Sequence, residues 1–233
     1  MAFYFDKFED RQPPEPLPHS PSRELLYQFL ATFSLVVGAW YLLWRWTESL
    51  NLDALWFAVP LALAETLAFV GLILFTINMW RTQDYPLRQP PASLQDCVDD
   101  PGASDRPVSV DVFFATYNED VELVRLGLRD AKAMRYPHAI DLRIHVLDDG
   151  RRPEMRAMTE AEGVGYITRD NNVGFKAGNL RNAMGQSAGD FIIIYDADTR
   201  LMPTMLERCL GYSRDPDVTW VDTPQWFYDI PEG

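Results

Sequence analysis

The chain has 233 residues, of which 24% are charged, and its net charge is −13. This length allows one large domain or two smaller ones. The acidic balance argues against nucleic acid as a partner, because a phosphate backbone requires clustered lysines and arginines. The two cysteines, Cys97 and Cys209, show neither metal-ligand spacing nor a disulfide framework.

Residues 1–22 are polar and rich in proline, with Pro13, Pro14, Pro16, Pro18 and Pro21. This composition predicts a disordered arm. It does not indicate a signal peptide, because no short apolar core with a small-residue cleavage site opens the chain.

Residues 23–81 contain two long apolar runs, 25–46 and 54–80, which predict two transmembrane helices. The alternative is a pair of buried helices in a soluble bundle, but such helices normally keep a polar stripe. Glu65 lies within the second run and is costly there unless it faces protein or water. It either pairs with the other helix or marks a kink near Pro60.

The orientation of these helices follows from the lysines and arginines that flank them. Lys7, Arg11 and Arg23 lie before the first run, and Arg81 and Arg88 follow the second. Residues 47–53 between the runs contain none, although Arg45 lies at the border of this segment. The positive-inside rule therefore predicts that the N-terminus and everything after residue 81 are cytoplasmic.

Residues 82–106 form a linker rich in Pro, Asp and Gln, and residues 107–233 then alternate between strand and helix patterns. This alternation indicates an α/β domain with a mostly parallel, Rossmann-like sheet. The predicted strands are 108–115, 142–147, 165–168, 191–195 and 218–222. The predicted helices are 121–131, 154–162, 176–187 and 203–212.

Polar motifs follow three of the predicted strands. They are Thr116-Tyr117-Asn118-Glu119, Asp148-Asp149-Gly150 and Asp196-Ala197-Asp198, and the last follows an apolar run that predicts a strand buried on both faces. Right-handed crossovers bring such strand ends together, at the edge where open α/β sheets bind ligands. Two aspartates there suit Mg²⁺ or Mn²⁺, which in turn bind phosphate. Each motif alone is also typical of a turn or a helix cap.

The segment from Asn172 to Asn179 adds small residues that allow close backbone approach, and Lys176, which can reach a phosphate. It does not have the spacing of a Walker loop. The alternative is an ordinary helix start with a solvated lysine.

Five motifs, in this order and behind transmembrane helices, resemble those of the processive family 2 glycosyltransferases, and most closely the cellulose synthase branch. They are Thr-Tyr-Asn-Glu, Asp-Asp-Gly, Lys-Ala-Gly-Asn, Asp-Ala-Asp and Thr-Pro-Gln, all within residues 107–233. The resemblance implies a GT-A fold, UDP-glucose as donor, Mg²⁺ or Mn²⁺ as cofactor, and inverting transfer to the 4- or 3-hydroxyl of a growing β-glucan.

The resemblance also implies roles for the motif residues. Thr116, Tyr117 and Glu119 would line the uridine pocket, and Asp148 or Asp149 would bind uracil or ribose. The diphosphate and metal would be held by Lys176, Asp196 and Asp198. Gln225, in Thr223-Pro224-Gln225, would lie toward the acceptor.

The chain departs from the family pattern in several places. The Thr-Glu-Asp motif that supplies the base and the following Gln-x-x-Arg-Trp motif are absent from the sequence, as are the later channel helices. We therefore expect no catalytic base in this chain and interpret it as the donor-binding part of a longer synthase, inactive alone. Two spans precede the domain where four are expected, and Phe175 precedes Lys176 where relatives often have His-Ala.

The resemblance implies a multi-pass protein of the bacterial inner membrane, with the growing glucan, the lipid bilayer and further synthase subunits as partners. Two other functions remain open. One is a non-processive family 2 transferase acting on a lipid or exopolysaccharide. The other is a non-catalytic membrane subunit or pseudoenzyme.

Overall fold

The computed structural model describes residues 18, 20–82, 85–97 and 105–227. Most of the predicted arm and part of the predicted linker lie outside these residues. The chain divides into two compact units, one within Pro14–Tyr85 and the other within Pro86–Gly233.

The first unit contains helix α1 (Pro21–Thr47) and helix α2 (Leu55–Arg81), with a short 3₁₀ turn at Leu52–Ala54 before α2. Both helices are long and apolar enough to cross a membrane. No residue of α1 is buried by the described part of the chain. This exposure favours a membrane hairpin over a pair of helices buried in a soluble bundle.

Glu65 of α2 pairs with α1, which confirms the first of its two alternatives. Its carboxylate accepts hydrogen bonds from Arg45 Nε at 2.8 Å and from the Tyr41 hydroxyl at 3.3 Å. Trp46 Nε1 donates to Thr66 Oγ1 at 3.0 Å one residue further along both helices. These five polar side chains of the two apolar runs therefore satisfy each other.

The second unit contains a parallel sheet whose strand order is β3-β2-β1-β4. The strands are β1 (Val108–Thr116), β2 (Ile140–Asp148), β3 (Gly165–Ile167) and β4 (Phe191–Asp196). The helices are α3 (Val121–Lys132), α4 (Pro153–Glu162), α5 (Phe175–Met184) and α6 (Met205–Cys209), and a 3₁₀ turn at Leu210–Arg214 follows α6. This architecture confirms the predicted α/β class with a parallel sheet.

Strand β1 is the centre of the sheet and is buried along almost its whole length. One of its faces contributes Val112 and Phe114 to the main core, where Leu128 of α3 also lies. Its other face contributes Phe113 to a smaller cluster with Leu147 of β2 and Ala183 of α5. Helices thus cover both faces of the central strand, as expected for a parallel sheet.

Strand β4 is not buried on both faces, so that prediction was wrong. It is the outermost strand of the described sheet, and Ile194 is half exposed. A continuous apolar run shows that a strand is largely apolar, but it cannot show whether the strand has one neighbour or two.

The predicted fifth strand at 218–222 was also wrong. Residues 218–227 have no regular structure, and Trp220 is almost fully exposed. A strand forms only where a partner edge accepts its hydrogen bonds, and among the described residues this segment has none.

Candidate functional site

The carboxyl ends of β2, β1 and β4 lie side by side, as predicted. Thr116 of β1 is in register with Asp148 of β2, and Ala115 is in register with Asp196 of β4. A cavity of about 600 Å³ opens at this edge. Seven predicted site residues line it: Thr116, Tyr117, Glu119, Asp149, Lys176, Asp196 and Asp198. The other lining residues are Ala115, Asn172, Phe175, Asn179 and Ala197. Its volume is typical of sites that hold small molecules or cofactors.

Asp148 is fully buried and is not among the residues that line the cavity. Its carboxylate accepts hydrogen bonds from the Arg152 backbone N–H at 2.7 Å, the Gly150 N–H at 3.0 Å and the Tyr166 hydroxyl at 3.0 Å. Burial, followed by this hydrogen bond to Asp148, raises the pKa of Tyr166 to about 12. Asp148 therefore holds the turn after β2, and a bound ligand at the cavity would meet Asp149 instead.

The turn after β2 needs glycine at position 150. A Cβ there would collide with the carbonyl oxygen of Tyr117 and would lie 3.0 Å from Arg152 Nε. The missing side chain lets the turns after β1 and β2 touch, so both contribute to one cavity wall.

The turn after β1 is organised by Glu119. Its carboxylate accepts hydrogen bonds from the Thr116 hydroxyl at 2.7 Å, the Tyr117 N–H at 2.7 Å and the Asn118 N–H at 3.1 Å. Burial alone would raise the pKa of Glu119, but these hydrogen bonds outweigh it and hold the pKa below its usual value. Glu119 is thus anionic and fixes the turn, while the Tyr117 ring remains more than half exposed at the cavity.

Two arginines that sequence reasoning missed hold these turns in place. Arg152 donates to the Thr116 hydroxyl at 2.7 Å and to the Glu119 carbonyl at 2.6 Å. Arg169 binds both carboxylate oxygens of Asp149, at 2.7 and 2.6 Å. Each is a single arginine without a motif, and only the folded arrangement shows what it contacts.

Arg169 also fixes the loop that leads into α5. Its guanidinium donates to the carbonyl oxygens of Val173 at 2.6 Å and Phe175 at 2.8 Å. The backbone of Phe175 is left-handed (φ 47°), and its side chain is 82% exposed. A non-glycine residue in this conformation is uncommon, and the carbonyl hydrogen bond from Arg169 helps to hold it.

Lys176 and the two aspartates after β4 form the charged end of the cavity. The Lys176 ammonium contacts the Asp196 carboxylate, and both side chains are about half exposed. Asp198 is exposed, whereas Ala197 between the two aspartates is buried. Lys176 is therefore both ion-paired and partly solvated at the start of α5.

The two aspartates fit a divalent cation that a ligand helps to coordinate. Carboxylate oxygens are the ligands that Mg²⁺ prefers, and it is often held by one or two carboxylates together with substrate phosphates. The described residues contain no group of three or more His, Cys, Asp and Glu that could hold a metal. The Lys176 ammonium already marks Asp196 as a position that attracts a cation.

Gln225 does not line this cavity. It is exposed in the irregular segment after residue 217. Its predicted place toward the acceptor remains a prediction.

The sheet and its cavity define an α/β domain with an aromatic ring, carboxylates and an amine at the ligand-binding edge of the sheet. Residues 111–232 match the family model described as glycosyl transferase family 2. The chain therefore belongs to glycosyl transferase family 2, and its second unit is a parallel-sheet GT-A domain.

The most similar curated relatives include cellulose synthases. The chain is 37% identical over 204 residues to the cellulose synthase catalytic subunit [UDP-forming] of Pseudomonas fluorescens (strain SBW25), which covers 85% of this chain and 26% of that protein. It is 36% identical over 211 residues to cellulose synthase 1 of Komagataeibacter xylinus, which covers 90% of this chain and 13% of that protein. The chain thus spans about a quarter or less of these relatives.

A solved mannosyltransferase, PcManGT from Pyrobaculum calidifontis in complex with GDP-Man and Mn²⁺, shows a weaker similarity. The TM-score is 0.47 at 19% sequence identity, over 63% of this chain and 40% of that one. A similarity at this level defines no ligand for the present chain.

Proposed function

We propose that this chain is the donor-binding part of a membrane-bound, inverting glycosyltransferase that uses UDP-glucose to extend a β-glucan. The observation that carries the proposal is the single cavity of about 600 Å³ in which Tyr117, Asp149, Lys176, Asp196 and Asp198 meet. The Tyr117 ring matches the base of a nucleotide sugar, and the Asp149 carboxylate matches the base or the ribose. The Lys176 amine and the two aspartates, Asp196 and Asp198, with a bound metal ion, match the diphosphate. Membership of family 2 and the similarity to cellulose synthases support this choice.

The nucleoside binds at the β1 and β2 turns. Tyr117 stacks on the uracil ring, because its own ring is exposed at the cavity and its backbone N–H is held by Glu119. Asp149 accepts a hydrogen bond from the base or the ribose, and Arg169 holds its carboxylate in place. Asp148, which lies outside the lining, positions Asp149 through the turn.

The diphosphate binds at the other end of the cavity. Lys176 exchanges its contact with Asp196 for the donor phosphates, which carry more negative charge than one carboxylate. Asp196 and Asp198 hold Mg²⁺ or Mn²⁺ together with phosphate oxygens. When bound, this ion supplies Lewis-acid stabilisation of the charge on the leaving diphosphate.

The transfer also requires a base that takes the proton of the acceptor hydroxyl. We assign no described residue to that role, because each carboxylate that lines the cavity already has another partner or another proposed role. Glu119 holds its own turn, Asp149 binds Arg169, and the remaining pair faces the diphosphate. Donor binding is therefore the activity expected of this chain, and Gln225 is proposed to lie toward the acceptor.

The two apolar helices anchor this domain to the bacterial inner membrane, with the glycosyltransferase domain on the cytoplasmic side. Their length and composition permit a membrane crossing. The arginines and lysines outside the hairpin favour this orientation. A cytoplasmic domain has direct access to nucleotide sugars, and the glucan and further synthase subunits would be met at the membrane.

Calorimetry of UDP binding to the detergent-solubilised chain, with and without Mn²⁺, tests the proposal. Binding should require Mn²⁺ and should be lost when Asp196→Ala and Asp198→Ala are combined. The control combines Asp217→Ala with Asp222→Ala, which makes the same charge change at exposed positions outside the cavity. Folded wild-type protein that binds no UDP would overturn the donor-site assignment and favour a non-catalytic subunit.

A further inference from the structure

Asn179 of α5 has a feature that the roles above do not use. Its side chain is 2% exposed, it lines the cavity, and its Oδ1 has no hydrogen-bond partner among the described residues. Buried polar atoms are rarely left unpaired, because each costs about 1–3 kcal/mol of desolvation free energy. Because Asn179 lines the cavity, a group of the bound ligand is the candidate partner for this oxygen, which is shielded from solvent in the structure.

The orientation of this amide is set by its other end. Nδ2 donates a hydrogen bond of 2.9 Å to the carbonyl oxygen of Leu147 in β2. Turning the amide over would place its oxygen against that carbonyl oxygen and lose the hydrogen bond. The atom left without a partner is therefore the oxygen, which accepts hydrogen bonds and donates none.

An acceptor selects the chemistry of the ligand group that it meets. It binds an N–H or an O–H group, and it repels a phosphate or carboxylate oxygen. Asn179 is also tied to the β2 side of the cavity, because Leu147 directly precedes the turn that carries Asp149. Lys176 lies three residues earlier on the same helix, so both residues share one helix face.

We propose that Asn179 is a specificity-determining residue whose Oδ1 accepts a hydrogen bond from an N–H or hydroxyl group of the nucleoside. Lys176 then binds the diphosphate and Asn179 binds the nucleoside, and both residues lie on one face of α5. This assignment rests on the proposed nucleotide-sugar function of the cavity.

The test compares Asn179→Leu with Asn182→Leu in the full chain. Asn182 is a matched control, because it lies on the same helix, also has a buried amide atom without a partner among the described residues, and does not line the cavity. Calorimetry with Mn²⁺ measures the binding of UDP and of pyrophosphate to each variant. Losing one hydrogen bond should weaken UDP binding by roughly tenfold in Asn179→Leu. Pyrophosphate binding should not change, and Asn182→Leu should behave as wild type.

Ligand analogues identify the donor group and keep the test independent of how well Asn179→Leu folds. Wild-type protein is titrated with 2′-deoxy-UDP, 3′-deoxy-UDP and N3-methyl-UDP, each of which removes one hydrogen-bond donor. One analogue should lose about tenfold in affinity with wild type, and the same analogue should lose nothing further with Asn179→Leu.

Three results would overturn the inference: equal UDP affinity in Asn179→Leu and wild type, an equal loss of pyrophosphate binding, or a loss seen only with UDP-glucose and not with UDP. The last would assign the hydrogen bond to the sugar instead. Failure of wild type to bind UDP at all is a different result, which contradicts the proposed function and not the role of Asn179 alone.

Discussion

The buried pair between Asp149 and Arg169 should contribute strongly to the stability of the domain. Their side chains are 8% and 9% exposed. Arg169 makes four hydrogen bonds, two to the carboxylate and one each to the carbonyl oxygens of Val173 and Phe175. Arg169→Met removes all four and leaves the Asp149 carboxylate buried without its counter-charge.

The expected loss of stability is large for a single substitution. Breaking a buried ion pair by removing one partner costs about 3–5 kcal/mol. For a chain of this size, each kcal/mol lowers the melting temperature by roughly 2–4 °C, so Arg169→Met should melt at least about 6 °C below wild type. UDP affinity should fall as well, because the loop into α5 loses its anchor.

Arg156→Met is the matched control for this experiment. Arg156 pairs with Glu160 on the surface of α4, where the two side chains are 65% and 68% exposed. Exposed pairs contribute about 0–1 kcal/mol, so this variant should melt within a few degrees of wild type. The assay is thermal unfolding of the detergent-solubilised chain, followed by circular dichroism. If Arg169→Met melts no lower than Arg156→Met, the pair does not hold the site together.

Three further predictions concern the turns and the base of the sheet. Gly150→Ala should lower the melting temperature and weaken UDP binding in calorimetry, because its Cβ would meet the Tyr117 carbonyl oxygen; unchanged binding would contradict the close approach of the two turns. Tyr117→Ala should weaken UDP binding by roughly tenfold while Tyr117→Phe retains it, since stacking requires only the ring; equal losses would count against stacking. Burial would raise the pKa of Asp190, but Arg106 and Ser109 hold this pKa at about 2. The stability that Asp190 contributes is therefore complete above its unfolded pKa near 4 and is lost as the pH falls toward 2. Asp190→Asn should flatten acid unfolding curves in that window, and an unchanged curve would show that the pair with Arg106 contributes little.

The sequence could predict where the site lies because few physical facts decide it. Apolar runs that end in polar motifs mark strand ends, and parallel strands joined by helices bring those ends to one edge. The motifs around Tyr117, Asp149 and Asp196 therefore met as expected.

The sequence could not distinguish the two aspartates of the β2 turn. Adjacent side chains leave the backbone in different directions, and only the position of the Tyr166 hydroxyl and of Arg152 shows that Asp148 is turned inward. The same limit hid Arg169, because its carboxylate partner Asp149 lies 20 residues away in the sequence. Neither β4 as an edge strand nor the irregular backbone at 218–222 could be predicted, because both depend on which neighbours a strand finds.

The contacts between the polar side chains of α1 and α2 could likewise be predicted only in part. The sequence identified Glu65 as costly in an apolar run, and the structure shows its carboxylate bound by Arg45 near the end of the other run. A residue near the end of one helix and a residue well inside the next become neighbours because the helices pack antiparallel, with Gly38 against Phe69 and Arg45 against Glu65.

The measurement that most directly tests the account is the binding of Mn²⁺ to the full chain, followed by electron paramagnetic resonance with and without UDP. Two carboxylates, one of them in contact with Lys176, should bind Mn²⁺ weakly alone. Phosphate oxygens complete the ligand set, so UDP should tighten Mn²⁺ binding by tenfold or more, and linkage requires Mn²⁺ to tighten UDP binding by the same factor. Mn²⁺ binding that is unaffected by saturating UDP would contradict a shared nucleotide–metal site at this edge of the sheet.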